Sequence, residues 1–290
     1  MSAYSSVFRP GLFDGQVIVV TGGGSGIGRC TAHELASLNA TVILIGRKEE
    51  KLLKTVAEIT EDGGRADHRV LDIRVEDDVR ACVTSILESH GAIHGLVNNA
   101  GGQFPSPVAA INQKGFETVV RTNLVGGFLM AREVYNQHMS KHGGAIVNML
   151  ADMWKGMPGM GHSGAARAGM MNFTMTAAVE WAPSGVRVNA VAPGWIASSG
   201  MDTYDGATKA IIPMLKNAVP LKRMGTESEV ASAICWLMSE GAAFVTGATL
   251  KIDGSASIAP HMWPMPDHER STPYDGFHRA AGPQVLEESS

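Results

Sequence analysis

Short apolar runs alternate with longer amphipathic stretches along most of the chain. The first run, residues 16–21, has strand length; a glycine-rich stretch follows it at once, then a helical pattern to about residue 38. Further strand-length runs fall at 41–45, 68–72, 93–98, 145–149, 186–191 and 248–252. Between them the spacing of apolar positions predicts helices over about 48–59, 75–88, 113–138 and 162–181, with two shorter helices before the last strand. Gly63-Gly64 marks a turn and Gly143-Gly144 a helix stop. Strict strand–helix–strand alternation predicts a parallel sheet covered by helices on both faces. Right-handed crossovers then give a doubly wound α/β domain, with its ligand crevice outside the carboxyl ends of the strands.

Beyond about Ala256 the pattern stops. Pro260, Pro264, Pro266, Pro273 and Pro283 interrupt a stretch with no periodicity. Residues 1–255 therefore read as one α/β domain, and 256–290 as an irregular C-terminal arm. The 34 glycines are above ordinary usage and point to many tight turns. A net charge of −4 without a basic stripe argues against nucleic acid and anionic membranes as partners. No apolar run is long enough to span a bilayer. Cys30, Cys82 and Cys235 lie far apart without a CxxC pair, which suits a reducing compartment. With no secretory signal and a C-terminus unlike a peroxisomal address, the expected location is cytoplasmic. No metal site is expected: His138 and His142 have a ligand-like spacing but no third partner.

The chemistry begins at Gly22-Gly-Gly-Ser-Gly-Ile-Gly28, between the first strand and the first helix. Glycines there let the backbone approach a pyrophosphate, and the helix N-terminus supplies free N–H groups. Alone, such a run is equally a tight turn; its position gives it weight. The second strand ends in Gly46-Arg47-Lys48, with no carboxylate until Glu49. An acid there would accept from a ribose hydroxyl, whereas the Arg47 guanidinium matches a 2′-phosphate and Lys48 adds charge. The expected cofactor is therefore NADP(H).

Four motifs in register resemble the short-chain dehydrogenase/reductase family, a Rossmann-type fold, over about residues 12–254. They are Thr21 to Gly28, Asp72-Ile73, Asn98-Asn99-Ala100-Gly101 and Pro193-Gly194-Trp195-Ile196. The resemblance implies that Gly22, Ser25, Gly26, Ile27 and Gly28 cradle the dinucleotide. Asp72 and Ile73 would contact adenine; Asn99, Ala100 and Gly101 would line the fourth strand end; Pro193, Gly194 and Ile196 would face the nicotinamide. It also implies a homotetramer. The helices around 113–138 and 162–182 would pair across a two-fold axis through Phe128, Met130, Phe173 and Met175.

The family's usual Tyr-x-x-x-Lys is replaced here by Ser163 and Arg167 in His162-Ser-Gly-Ala-Ala-Arg-Ala-Gly169. Four residues apart, they share a helix face. Arg167 can hold ribose hydroxyls and impose a positive potential but cannot exchange a proton at neutral pH. Ser163 is a poor acid; it either donates to a developing oxyanion or caps the helix. Asn123 matches the family's relay Asn, whereas the usual fifth-strand Ser is missing from Asn148-Met-Leu-Ala151.

Within the family, the motif resembles peroxisomal trans-2-enoyl-CoA reductases and 2,4-dienoyl-CoA reductases. An enoyl thioester suits the altered site: its carbonyl oxygen needs a hydrogen-bond donor and its α-carbon a proton. Candidate donors to the oxygen are Ser163, a backbone N–H near Gly101-Gly102-Gln103, and Lys155; Asp152, Tyr204 or water could deliver the proton. The expected activity is NADPH-dependent reduction of enoyl-CoA thioesters. Alternatives are an alcohol or aldehyde dehydrogenase for a branched acyclic substrate, and a silent cofactor-binding protein. Met149, Met153, Met157, Met160, Met170 and Met171 gather near the expected cleft, as acyl-chain wall or as core filler. Trp154 and Trp195 are candidate cleft residues on the same ground.

Overall fold

Seven strands make one parallel sheet in the order β3-β2-β1-β4-β5-β6-β7 in the computed structural model, which describes residues 3–204, 206–260 and 264–287. In chain order the elements begin β1 Val17–Thr21, α1 Gly26–Ser37, β2 Thr41–Gly46, α2 Glu49–Glu61, β3 Arg65–Val70, α3 Glu76–His90 and β4 Gly95–Asn98. A continuous helical rod follows: α4 Gln113–Val120, a π-turn Arg121–Val125, α5 Gly126–Val134, a second π-turn Tyr135–Met139, and α6 Ser140–His142. Then come β5 Gly144–Met149, α7 Gly161–Glu180, β6 Val186–Pro193, α8 Gly206–Ile211, α9 Glu227–Met238, β7 Thr249–Ile252 and α10 Gln284–Glu287.

The central strands are apolar at every position because both faces are covered. Leu35, Ile234 and their neighbours pack on one face, and Val83, Met130 and Ala177 on the other. The third strand begins at Arg65, earlier than the apolar pattern suggests, and ends before Asp72. It is an edge strand of half-buried polar residues paired only with β2, so it lacks the apolar run that marks the others.

Met130 does not face outward as expected; it is fully buried in the core under α5. Phe128 and Phe173 meet each other edge-on, with ring centroids 5.6 Å apart. The large apolar side chains left exposed on α7 are Met175 and Val179. Trp154 is exposed as well, with Lys251 Nζ 4.1 Å from its ring centroid, and is not a cleft residue. Met170 is core filler, whereas Met149 packs in the core and also lines the cleft described below. The His138 and His142 rings stack 4.4 Å apart, and among the described residues no group of three His, Cys, Asp or Glu could hold a metal. Nor is any helix there long and apolar enough to cross a membrane.

The arm folds back onto the domain. Phe277 packs with Tyr4, Cys30 and Ala231, sealing α1 against α9. Arg279 pairs with Glu61 at the end of α2 and with Asp62 just after it, each at 2.7 Å. Farther on, the backbone N–H groups of Gln284 and Val285 donate to Asp202.

Under this seal lies Glu34, with no exposed surface, accepting hydrogen bonds from Tyr4 and Ser6. Burial pushes its carboxyl up from 4.5 to about 7. The folded state therefore holds a proton that the unfolded chain has lost. The associated stability is full below about pH 4.5 and is lost as pH rises through about 7. Glu34→Gln keeps the shape and removes this titration. It should be more stable than wild type by about 1 kcal/mol or more at pH 8 and gain little at pH 5, measured by thermal melts. A pH-independent difference would refute this.

Candidate active site

The strand order reverses between β1 and β4, and their carboxyl ends open the crevice. Thr21 and Asn99 hold the two ends together. Thr21 Oγ1 accepts from the N–H of Asn99 (3.0 Å) and Ala100 (2.9 Å), while Asn99 Nδ2 donates to Thr21 O (3.0 Å). Gly22 and Gly26 have φ of +69° and +57°, the left-handed region that glycine adopts without strain. A Cβ on Gly26 would enter open space, with only Glu227 Oε1 at 3.8 Å, whereas one on Gly28 would collide with Gly22 O and Asn99 Nδ2. A groove thus runs over the N-terminus of α1, whose free N–H groups suit a pyrophosphate.

On one side of the groove, Gly22, Gly46, Arg47, Asp72, Ile73, Arg74 and Ala100 line a recess. Asp72 is bound there by Arg74 through Nε (2.9 Å to Oδ1) and Nη2 (2.5 Å to Oδ2), which holds its carboxyl at about 2. Arg47 is exposed at the rim; Lys48 precedes α2 and does not line the recess. Arg74, absent from the sequence reading, sets a second guanidinium beside Arg47.

On the other side is a cleft of about 350 Å³, walled by Ile27, Asn99, Gly101, Gly102 and Gln103 and by Pro193, Gly194, Trp195, Ile196 and Tyr204. Arg167 forms its floor. The guanidinium is buried beneath Gly101, where an added Cβ would lie 2.6 Å from Nη2. Nη1 donates to Met149 O at 2.5 Å and Nε has no partner, while no carboxylate pairs with the group among the described residues. Burial pushes its pKa down to about 10, which leaves it charged at neutral pH. A buried cation with an orphaned N–H suits a polyhydroxyl partner such as ribose, so these residues fit a nicotinamide dinucleotide.

The π-turn carries Asn123, whose Oδ1 accepts from Gly102 N (2.8 Å) and whose Nδ2 donates to Gly102 O (3.0 Å). Asn123 therefore holds the loop after β4. The fully buried Ser163 donates to Gln103 Oε1 at 2.7 Å and does not cap α7, which starts at Gly161 after Met160. Next to it, His162 Nδ1 accepts from Ser163 N, and the ring meets Phe104 edge-on at 4.4 Å. Gln103 in turn donates from Nε2 to the Tyr204 hydroxyl at 3.2 Å.

Lys155, one expected oxygen donor, donates instead to Ala256 O and Ala259 O of the arm, and of the loop N–H groups at Gly101-Gly102-Gln103 that of Gly102 is spent on Asn123. Asp152 is half-buried; its backbone N–H donates to Pro193 O, and Ala151 rather than Asp152 lines the cleft. On β5, Asn148 fills a structural role, accepting from Asn98 (2.9 Å) and donating to Thr174 (2.9 Å).

A dinucleotide groove at the switch point of a parallel sheet, with a cleft beside it over a buried cation, defines a nicotinamide-dependent oxidoreductase. Residues 22–256 match the family described as Enoyl-(Acyl carrier protein) reductase. The peroxisomal 2,4-dienoyl-CoA reductase [(3E)-enoyl-CoA-producing] of Danio rerio is 35% identical over 88% of this chain and 86% of its own. The citronellol catabolism dehydrogenase AtuB of Pseudomonas aeruginosa PAO1 is 68% identical, with a TM-score of 0.80, over 88% of this chain and 100% of that one. An NAD⁺-bound xylitol dehydrogenase superposes with a TM-score of 0.79 at 31% identity over 83% of this chain and 99% of its own. The chain belongs to the short-chain dehydrogenase/reductase family and is an NAD(P)-dependent oxidoreductase.

Proposed function

We propose that the enzyme reduces the carbon–carbon double bond of an enoyl-CoA thioester, with an acyclic branched acyl chain and NADPH as reductant. The observation that carries this reading is the replaced pair. Ser163 spends its proton on Gln103, and Arg167 cannot exchange one at neutral pH. Alcohol oxidation needs a base at the hydroxyl, whereas reduction of a conjugated thioester needs positive potential at the carbonyl oxygen and a proton at carbon. The dienoyl-CoA reductase relative supports the thioester, and the citronellol catabolism dehydrogenase supports the branched chain.

In this reading Gly22, Ser25, Gly26, Ile27 and Gly28 hold the pyrophosphate, Asp72 and Ile73 border the adenine, and Asn99, Ala100 and Gly101 line the far wall. Pro193, Gly194 and Ile196 face the nicotinamide, and Arg167 holds its ribose. The bound dinucleotide supplies the hydride. Asn123 keeps the Gly102 loop in place, Ser163 fixes Gln103, and Asp152 stands at the cleft edge. Residues 1–255 form the catalytic domain and 256–290 an arm that braces it. The three buried free cysteines suit the reducing cytoplasm. A homotetramer would cover Met175 and Val179 of α7.

Purified protein with NADPH should turn over branched 2-enoyl-CoA faster than 3-oxoacyl-CoA, and faster than citronellol with NADP⁺. The 68% identity to the citronellol enzyme favours a second reading, oxidation of a branched alcohol. Faster alcohol oxidation would establish that reading in place of the first.

Arg47 at the rim of the recess supports NADPH over NADH, whereas the charge of Arg74 is spent on Asp72. Arg47→Asp should weaken NADPH binding by about tenfold or more and spare NADH, a loss comparable to that of a charge-assisted hydrogen bond. Fluorescence titration with both cofactors decides it; a wild type that prefers NADH severalfold would refute the assignment.

A further inference from the structure

Of the chain's four tyrosines, three are engaged away from the cleft. Tyr4 donates to Glu34, Tyr135 bonds Ser184, and Tyr274 donates to Ser5 O. Tyr204 lines the cleft together with Gly101 and Arg167. Its backbone follows the turn Ser199–Thr203, which the arm latches down: Asp202 accepts from Gln284 N and Val285 N, each at 3.1 Å, and Val285 is buried against Met201 and Ile212.

We propose that Tyr204 is the proton-donating residue of the active site and that Gln103, anchored by Ser163, aims it. The inference rests on the enoyl-thioester reading above. Ser163 donates to the amide oxygen of Gln103, so the amide NH₂ faces Tyr204. The phenol oxygen accepts that N–H, and its own proton is left to point into the cleft. Of the other polar groups near the cleft, Ser163 is committed to Gln103, Lys155 to the arm and Arg167 to its charge, while Asp152, the other side chain expected to carry a proton, does not line the cleft.

The step balances. The β-carbon of the thioester takes a hydride from the reduced nicotinamide dinucleotide, and the carbon–carbon π electrons move toward the carbonyl oxygen. As the electron pair returns, a C–H bond forms at the α-carbon and the O–H bond of Tyr204 breaks; solvent reprotonates the phenolate. Tyr204 is thus a catalytic residue, while Gln103 and Ser163 are positioning residues.

The test compares wild type with Tyr204→Phe and Gln103→Glu, using a branched 2-enoyl-CoA. Tyr204→Phe should lower kcat about 100-fold or more, the ordinary worth of a general acid, with KM within about threefold. NADPH binding, read by nicotinamide fluorescence without substrate, should stay within about twofold, because the phenol acts on the substrate and not on the dinucleotide. Gln103→Glu keeps the acceptor for Ser163 but turns the partner of Tyr204 from donor to acceptor, drawing the phenol proton out of the cleft. It should lower kcat by about tenfold or more with KM and NADPH affinity unchanged. A Tyr204→Phe variant within about threefold of wild type would overturn the proposal, and so would a loss explained by weaker NADPH binding. If the wild type oxidises citronellol and reduces no enoyl thioester, the function reading falls by itself. The same Tyr204→Phe comparison on the alcohol then decides whether this phenol exchanges the proton.

Discussion

Arg167→Ala is expected to lower turnover by about 100-fold or more while leaving the fold intact. The two effects separate because the guanidinium is buried with a single hydrogen bond and no counter-charge among the described residues. Removing it breaks no ion pair and relieves the cost of burying an isolated charge, so stability should hold or rise. What is lost is the cation under Gly101, at the junction of the dinucleotide groove and the substrate cleft. Arg167→Lys should retain activity within about tenfold, since an ammonium keeps the charge and donates to ribose. Ser163→Ala should lose less than Arg167→Ala, because it frees the Gln103 amide without removing a charge. Steady-state kinetics with thermal melts on the three variants test this. An Arg167→Ala enzyme that unfolds, or one that keeps most of its activity, would contradict the assignment.

Gly28→Ala should abolish dinucleotide binding and cost about 2 kcal/mol of stability, the magnitude of a forced overpacking. The added methyl group would strike Gly22 O and the Asn99 amide, which also donates to Thr21 O. Neither can retreat without parting the ends of β1 and β4, so the damage passes directly to the groove. Gly26→Ala serves as the contrast. Its Cβ meets only Glu227 Oε1 at 3.8 Å, so its cost is the positive φ and obstruction of the groove. Denaturant melts and NADPH titration should show Gly28→Ala failing in both respects. A Gly28→Ala protein with wild-type melting and NADPH affinity would mean that the glycine-rich turn is not the packed junction described.

The sequence by itself determined what depends on neighbours in the chain. Central strands are buried on both faces and so appear as continuous apolar runs. The glycine run is legible because a strand precedes it and a helix follows. Ser163 and Arg167 share a face because four residues span about one helical turn. Local patterns fail where burial or bonding is decided from afar. β3 is an edge strand of mostly polar residues, so it starts earlier than the apolar pattern predicts. Met130 looks like a surface contact on a helix wheel, but the sheet and α3 close over it. Ser163 opens a helix, where serine commonly caps, yet its hydroxyl turns to Gln103, 60 residues away. Gln103 joins it to Tyr204 across another 101 residues, and Arg74 turns back on Asp72 to share the recess with Arg47. The strands and the glycine-rich turn were thus written in local pattern, and the replaced pair showed only against the motif of the family that the chain resembles. Only the closing of the sheet, the loop after β4, the turn before Tyr204 and the arm that holds it decided which polar groups face each other, because no sequence period records a hydrogen bond between distant loops.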